Sequence, residues 1–279
     1  MSVVVVGGGW AGCAAAYAAR LAGARAVILE RTDMLLGTGL VGGIMCNNGR
    51  LTALEELREL GGGEFLGLIE GVATHHRLDF PGHRHAMLYD VTRIEPAVRT
   101  KLRALGVELK LQKRMTGVAE SGGRIIGVLT ADDEIIEGDV FIDCTGTAGP
   151  VQNCIRYGTG CAMCILRCPT FGPRVSLTAQ AGIPELRAGK GFPQFEAMSG
   201  SCKLEKKSLS SNLVRTLERD GVLVIPLPRR LQKNEQLQRK ACQQYAISDF
   251  SENLVILDTG HAKLMTPYFP LEILRTLDG

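Results

Sequence analysis

Long hydrophobic runs are missing from this sequence. Nowhere do about 18 apolar residues follow one another, the length that a membrane-spanning helix needs. The first apolar run, residues 3–6, leads directly into three glycines and is too short for the core of a signal peptide. We therefore predict a cytoplasmic protein that has no membrane partner.

A strong excess of one charge is also missing. The formal net charge of +3 is too small to indicate nucleic-acid binding on its own. It is unevenly spread, because residues 203–240 contain ten Lys or Arg and four Asp or Glu, a local net charge of +6. A solvated helical face is the usual meaning of such a segment, and contact with RNA or another phosphate-bearing partner is the alternative.

Glycines and cysteines are plentiful instead. With 279 residues, 45% of them hydrophobic, the chain can bury the core of one large domain or of two ordinary ones. The 34 glycines indicate tight turns and close backbone approaches. Nine cysteines, three of them within residues 161–168, fit a reducing compartment better than a disulfide framework.

A glycine motif of the form G-x-G-x-x-G opens a predicted βαβ unit. Gly7 permits a tight turn, Gly9 lets the backbone approach a pyrophosphate, and Gly12 allows the helix to pack closely on the sheet. Glu30, 18 residues after Gly12, can accept hydrogen bonds from ribose hydroxyls, and its neighbour Arg31 joins the predicted cofactor-binding set. The strand, helix and strand are predicted over 2–6, 11–22 and 26–29.

The next hundred residues contain signals of several elements. We predict an irregular active-site loop over 34–50, a helix over 51–60 that ends at three glycines, and a helix over 93–105. Residues 73–89 contain Pro81, Gly82 and four of the five histidines and are predicted as a loop. Short strands predicted to form an antiparallel meander span 107–111, 117–120, 125–130 and 134–137.

A final buried strand, 140–144, is predicted to run into Thr145-Gly146. A glycine motif followed by a meander, an apolar strand and a Thr-Gly turn resembles the large glutathione-reductase-like class of flavoproteins. The resemblance implies that FAD is the cofactor and that Thr145 and Gly146 lie against it. Because no second G-x-G-x-x-G follows a predicted strand and opens a predicted helix, we expect no separate NADPH-binding domain.

A second motif narrows the resemblance. Residues 42–47, Gly-Gly-Ile-Met-Cys-Asn, and the glycines at 61–62 are similar to the glucose-inhibited division protein A branch of that class. The branch includes tRNA-uridine-modifying flavoproteins and many other FAD-dependent oxidoreductases. In the tRNA enzymes a Cys-Asn pair lies near the flavin. The resemblance implies that Cys46 and Asn47 correspond to this pair. Asn48-Gly49-Arg50 stands where those enzymes carry a proline and repeated glycines.

Cys46 is the predicted catalytic residue. A thiolate at this place can attack a substrate or form a flavin adduct if neighbouring dipoles lower its pKa. An ordinary buried cysteine is the alternative.

The cysteines Cys161, Cys164 and Cys168 are candidate metal ligands. Their spacing partly matches the end of a bacterial ferredoxin signature, and Cys154 or Cys202 could complete a set of four. An iron-sulfur cluster or zinc site, a redox dithiol and ordinary buried cysteines all remain open. The histidines of 73–89 could likewise bind a metal or an anionic substrate, although a polar surface loop is the favoured interpretation.

The predicted fold class is α/β, with a Rossmann-like FAD-binding domain over 1–150, comprising a parallel sheet and a β-meander, and an inserted mixed α+β substrate domain over 151–279. The late strand and Gly-Asp-like turn that close over the flavin in this class do not occur before Gly279. We therefore expect either a longer protein or a second subunit, or a homo-oligomer, that completes the FAD site.

The predicted function is FAD-dependent hydride or electron transfer to or from a small molecule or a redox partner protein. Two alternatives are kept. One is a flavin-dependent tRNA-modifying enzyme that contacts phosphates through residues 203–240. The other is an electron-transfer subunit with a flavin and an iron-sulfur cluster.

Overall fold

The computed structural model describes residues 1–46, 51–146, 174–183, 203–232, 247–265 and 275–279. The strands are β1 (Ser2–Val6), β2 (Arg25–Glu30), β3 (Ile44–Met45), β4 (Ala73–Phe80), β5 (His83–Tyr89), β6 (Glu108–Leu111), β7 (Met115–Ser121), β8 (Arg124–Thr130), β9 (Ile135–Glu137), β10 (Val140–Asp143), β11 (Lys203–Leu204), β12 (Val222–Pro226), β13 (Asn253–Asp258) and β14 (Ala262–Leu264).

The helices follow in the same way. The α-helices are α1 (Trp10–Leu21), α2 (Gly39–Gly42), α3 (Leu51–Leu57), α4 (Gly63–Glu70), α5 (Ile94–Ala104), α6 (Leu177–Gln180), α7 (Ser211–Asp220) and α8 (Ile247–Glu252). A π-helical turn spans Arg58–Gly62, and 3-10 turns span Lys206–Ser208 and Arg229–Leu231. In the described part of the chain, every helix is too short or too polar to cross a bilayer.

The described residues form two compact units. The first contains 1–40, 95–146 and 174–183. The second contains 41–46, 51–94, 203–232, 247–265 and 275–279. The domains predicted over 1–150 and 151–279 stay predictions.

A four-stranded parallel sheet in the order β10-β1-β2-β6 is the centre of the first unit. Alternate residues of β1 point to opposite faces, and α1 packs on β1 and β2. On the other face, Val4 and Val6 join a core with the meander strands. The buried members of this core are Val4, Val6, Leu29, Met115, Val128, Ile136 and Leu177. The predicted βαβ unit is thereby confirmed.

One strand of the predicted meander belongs elsewhere. β6 pairs with β2 in parallel, with Ile28 opposite Leu109, whereas β7, β8 and β9 form the antiparallel meander as predicted. The reason is the helix before it, because a strand that follows a helical crossover returns parallel to the sheet it left. The alternation of side chains along β6 carries no information about its partner.

The second unit contains two antiparallel sheets, β3-β5-β4 and β11-β14-β13-β12. One core is shared by both sheets and comprises Phe80, Ala86, Leu88, Phe250, Val255, Leu257 and Met265. The other face of β13 packs against α7, in a core of Leu217, Leu223, Leu227, Leu254, Ile256, Ala262 and Leu264. β13 and β14 were not predicted from the sequence.

The loop predicted over 73–89 is wrong, because these residues form the hairpin β4–β5 around a turn at Gly82, whose φ is 75°. Its register shifts at several points, and Arg77 and His85 have positive φ values of 53° and 57°. Such bulges interrupt the alternation of apolar and polar residues by which a strand is recognised. The strands are nevertheless held by the buried core of the unit.

The helix predicted over 51–60 ends earlier than predicted, at Leu57, and a second helix follows the glycines. α3 leads into the π-helical turn, where Gly61 has a left-handed φ of 93°, and the chain then enters α4. A residue without Cβ adopts this φ readily, so the glycines form a kink between two helices. Phe65, Leu66 and Ile69 bury the inner face of α4. The predicted loop over 34–50 likewise includes α2 and β3.

Candidate functional site

The glycine motif forms the turn between β1 and α1. A Cβ at Gly7, whose φ is 103°, would lie 2.1 Å from the Cys144 carbonyl oxygen. A Cβ at Gly12 would lie 1.9 Å from the Gly7 carbonyl oxygen. At Gly9 a Cβ would meet no atom within 4 Å. Packing therefore requires glycine at two positions, while the third faces open space.

This open space lies at the amino end of α1. Gly9 is the N-cap and provides no side-chain cap, and the first turn of the helix contains no acidic residue. The first N–H groups of a helix have no partner within it, and they lie at the positive end of the helix dipole. The turn can therefore bind a pyrophosphate through backbone donors.

Glu30 is held beside this turn at the carboxyl end of β2. Its Oε2 accepts a hydrogen bond of 2.8 Å from the Gly8 N–H. Its Oε1 accepts hydrogen bonds from the Thr32 N–H at 2.9 Å and the Thr32 hydroxyl at 3.0 Å. The carboxylate is buried, yet its oxygens have further acceptor capacity that suits a ribose hydroxyl.

Two arginines lie near this carboxylate. Burial lowers the pKa of Arg31, the Glu30 charge opposes that shift, and the charge of Arg114 adds to it. Arg114 was not predicted. It follows β6, and only the parallel pairing of β6 with β2 brings the residues after both strands to one edge of the sheet.

The Thr-Gly turn lies against the glycine motif. The Cys144 N–H donates to the Val6 carbonyl oxygen at 2.8 Å, and a Cβ at Gly7 would lie 3.0 Å from the Thr145 nitrogen. Gly146 has a φ of 94°. The first unit thus brings Gly7, Gly9, Gly12, Glu30, Thr145 and Gly146 to the carboxyl ends of adjacent parallel strands.

Asp143 fixes the Thr-Gly turn and was missed by the sequence analysis. Its Oδ1 accepts from the Thr145 N–H at 3.0 Å and hydroxyl at 2.6 Å. Its Oδ2 accepts from the Ser176 hydroxyl at 3.0 Å, and from the Thr178 N–H at 3.0 Å and hydroxyl at 3.1 Å. Burial would raise the pKa of Asp143, but these hydrogen bonds outweigh it and hold the pKa at about 2.

Cys46 lies in the second unit, directly after β3. Its φ of 55° is unusual for a residue with a side chain, and such conformations cluster at functional sites. Burial raises the pKa of the thiol, although the charge of Arg58 opposes the rise. A thiolate at Cys46 would require a lowered pKa, and the shift is in the opposite direction. The catalytic role of Cys46 stays a prediction, and Asn47 lies outside the described residues.

The predicted metal ligands Cys161, Cys164 and Cys168 also lie outside the described residues. Within the described ranges, no group of three or more His, Cys, Asp or Glu side chains could hold a metal ion. This includes the histidines of the hairpin. His83 is moreover buried, so the interpretation of this segment as a polar surface loop is wrong for that residue.

The family described as Glucose inhibited division protein A matches residues 2–262 of the chain. The match confirms the resemblance predicted from the glycine, Cys-Asn and Thr-Gly motifs. The predicted α/β fold class is confirmed by the parallel sheet of the first unit together with the antiparallel sheets. Curated protein sequences give no match.

Several solved structures are similar to parts of the chain. The Diels-Alderase PyrE3 of pyrroindomycin biosynthesis is 21% identical, with a TM-score of 0.48 over 82% of this chain and 44% of that chain. GidA of Aquifex aeolicus is 18% identical, with a TM-score of 0.43 over 50% of this chain and 24% of that chain. The chain thus spans less than half the length of these two proteins.

Proposed function

Because this chain belongs to the glucose inhibited division protein A family, we propose that it is an FAD-dependent oxidoreductase that exchanges hydride or electrons with a substrate. The observation that carries the proposal is the contact between two motifs that are remote in sequence. The Cys144 carbonyl and the Thr145 nitrogen lie where a side chain at Gly7 would be. The glycine turn, Glu30 at the end of β2 and the Thr-Gly turn lie along one edge of the parallel sheet. A row of sites of this kind suits a long dinucleotide.

The described residues fit FAD. Gly7, Gly9 and Gly12 at the start of α1 would hold the pyrophosphate through backbone N–H groups. Glu30 would accept hydrogen bonds from the ribose, with Arg31 beside it. Thr145 and Gly146 would support the remainder of the cofactor. Asp143 would act as a positioning residue. Its carboxylate oxygens accept hydrogen bonds from Thr145, Ser176 and Thr178, so it holds Thr145 in place.

When bound, FAD supplies a carrier for two-electron or single-electron transfer that no side chain can replace. The protein's own contribution is to orient the reactants and to exclude water. Cys46 is the proposed catalytic residue. Since its raised pKa favours the thiol form, we propose that the Cys46 Sγ–H group donates a proton to the substrate. Residues 151–279 are proposed as the domain that selects the substrate.

The experiment that tests this function is the absorption spectrum of the protein purified without oxygen, followed by FAD titration of any apoprotein. Flavin bands, or saturable FAD uptake, are expected. Glu30→Gln should weaken FAD binding about tenfold or more, because a charge-assisted hydrogen bond is lost. Glu137→Gln, at an exposed position of β9, is the matched control. A colourless protein that does not take up FAD would contradict the proposal.

The same sample separates the alternatives. Iron and acid-labile sulfide at stoichiometric levels, lost in Cys161→Ser, would support an electron-transfer subunit with a cluster. Binding of tRNA at low salt that falls steeply with added salt would support a tRNA-modifying enzyme. Several cations of the basic stretch already have acidic partners, since Lys206 pairs with Glu218 and Arg219 with Asp220. A small-molecule substrate or a redox partner protein is therefore the favoured partner.

A further inference from the structure

We propose that Glu95, paired with Arg99 on α5, is a positioning residue for the cofactor. It holds residues 33–37 against the glycine turn and thereby fixes the direction of the Gly9 N–H. The inference rests on the proposed function, because that N–H is one of the donors assigned to the FAD pyrophosphate. The glycine and Thr-Gly motifs lie elsewhere in the sequence, so α5 joins the site through tertiary contacts alone.

Glu95 is a buried carboxylate in the first turn of α5. It is 3% exposed, and its Oε1 accepts a hydrogen bond of 3.0 Å from the Leu35 N–H, 60 positions earlier in the chain. The same oxygen accepts from the Arg99 Nε at 2.8 Å and Nη2 at 2.5 Å. A charged acceptor makes a stronger hydrogen bond than a neutral one, so Leu35 is tied firmly to the helix.

Arg99 fastens the same loop at a second point. Its Nη2 donates to the Asp33 carbonyl oxygen at 2.8 Å while the guanidinium group pairs with Glu95. The donors of a guanidinium group form a rigid fork. One ion pair therefore holds an N–H and a carbonyl group that are two positions apart in the loop.

The loop held in this way contacts the glycine turn directly. The Leu36 N–H donates to the Gly8 carbonyl oxygen at 2.7 Å, and Leu36 forms an isolated parallel bridge with Gly9. A Cβ at Gly37 would lie 3.9 Å from the Gly9 Cα. The loop therefore runs beside the residue at which the pyrophosphate is proposed to approach.

Leu36 has a backbone conformation that needs support. Its φ is 71°, which is rare for a bulky residue, and its side chain is fully buried. Such a conformation persists only where the surrounding structure determines it. The anchors at Asp33 and Leu35 lie immediately before it and supply that support.

The hydrogen bond from Leu36 orients a donor of the proposed site. A peptide group is planar, so the Gly8 carbonyl oxygen that accepts from Leu36 and the Gly9 N–H keep a fixed relation. Gly9 is the N-cap of α1, and N–H groups at the start of a helix bind anions. The anchors on α5 thus hold a phosphate donor in place before the ligand arrives, which strengthens binding.

Trp10 reports on the position of the loop. It is the single tryptophan of the chain, and a Cβ at Gly39 would lie 2.3 Å from its Nε1. Residues that follow the loop therefore pack closely against the indole ring. A displaced loop should change the fluorescence emission of Trp10 in the apoprotein, where no flavin interferes.

The test compares the double variant Glu95→Leu/Arg99→Met with the wild type. Replacing a buried ion pair by apolar residues often leaves stability unchanged or raises it, so this variant should fold, while the Leu35 N–H and the Asp33 carbonyl lose their partners. The dissociation constant of FAD should rise about tenfold or more. The emission of Trp10 should shift, whereas the circular dichroism spectrum and the unfolding midpoint should stay near those of the wild type.

A pair of single variants provides the matched control. Glu95→Gln keeps an acceptor for the Leu35 N–H but loses the charge, so its FAD affinity should lie between those of the wild type and the double variant. Glu108→Gln carries the same change in a side chain that is 65% exposed and pairs with Lys110. It should match the wild type in FAD affinity and in Trp10 emission.

The outcomes keep this proposal apart from the proposed function. Unchanged FAD affinity or unchanged Trp10 emission in the folded double variant overturns the positioning role, even if the wild type binds flavin. If the double variant does not fold, equal behaviour of Glu95→Gln and Glu108→Gln overturns it instead. A wild-type protein that takes up no FAD contradicts the proposed oxidoreductase, and Trp10 emission then decides whether the ion pair positions the loop.

Discussion

At the scale of single residues, Gly9 and Gly12 belong to one motif but have different surroundings. A side chain at Gly12 would overlap the Gly7 carbonyl oxygen, whereas one at Gly9 would meet nothing. Gly9 also has a φ of −66°, which any residue adopts. Packing thus requires glycine at position 12 but not at position 9, where the proposed approach of a pyrophosphate would require it.

Substitution of these two glycines should therefore give opposite results. Gly9→Ala should keep the free energy of unfolding of the apoprotein within about 0.5 kcal/mol of the wild-type value. The same substitution should weaken FAD binding by about tenfold or more. Gly12→Ala should lower that free energy by about 1–3 kcal/mol, because the overlap is with backbone. Urea unfolding and FAD titration measure the two effects. If Gly9→Ala binds FAD normally, the pyrophosphate does not approach this turn.

Asp143 gives the first unit a defined response to acid. Its pKa in the folded protein, about 2, is below the ordinary value of 3.8, so the folded state favours the charged form. The resulting stability is present above pH 4 and is lost as the pH falls through about 2. Since the group is partly exposed, we expect its contribution at neutral pH to be about 1–2 kcal/mol.

Asp143→Asn should accordingly be less stable than the wild type at pH 7, and the difference should shrink between pH 4 and pH 2. Urea unfolding at several pH values measures it. Asp33→Asn, at an exposed residue, is the control and should follow the wild type throughout. A difference that stays constant with pH would show that geometry rather than charge is lost.

At the scale of elements, one carboxylate connects three parts of the second unit. Asp258, at the end of β13, accepts a hydrogen bond from the His75 Nε2 on β4 at 3.2 Å and pairs with Lys206 Nζ at 2.9 Å. Its side chain is 6% exposed. The hairpin β4–β5 is thereby fastened to the sheet that carries α7.

Asp258→Asn should destabilise the protein by about 3 kcal/mol, because the substitution leaves Lys206 partly buried with a weaker partner. Asp220→Asn removes a carboxylate from an exposed pair with Arg219 and should change stability little. The midpoints of urea unfolding compare the two variants. Equal losses of stability in the two variants would show that burial does not increase the contribution of Asp258.

The same scale shows why some elements could be predicted and others could not. The βαβ unit has an apolar strand, a small-residue helix and glycines at set spacings, so each local signal agrees with the others. In the hairpin, bulges at Arg77 and His85 break the alternation. The apolar run 254–257 in β13 is equally compatible with a buried helix segment, and its neighbours in the sheet are remote in sequence.

At the scale of the whole molecule, the turn formed by the G-x-G-x-x-G motif was predictable because the tasks of its glycines follow from chain geometry alone. The places of Asp143 and Arg114 were not, because each depends on neighbours supplied by tertiary structure. The pairing of β6 with β2 decides where Arg114 lies, and Asp143 accepts hydrogen bonds from Ser176 and Thr178, which are remote in sequence.

The pairing of β1 with β10 also sets an order of events during synthesis. Ser2 and Asp139 are hydrogen-bonded although they are 137 positions apart in the sequence, and β2 can pair with β1 long before β10 has been translated. Contacts so distant in sequence close slowly, and a nascent chain folds from its amino end. If FAD binds as proposed, the Thr-Gly turn must leave the ribosome before the nascent protein can capture the cofactor, so flavin uptake would follow the synthesis of both halves of the site.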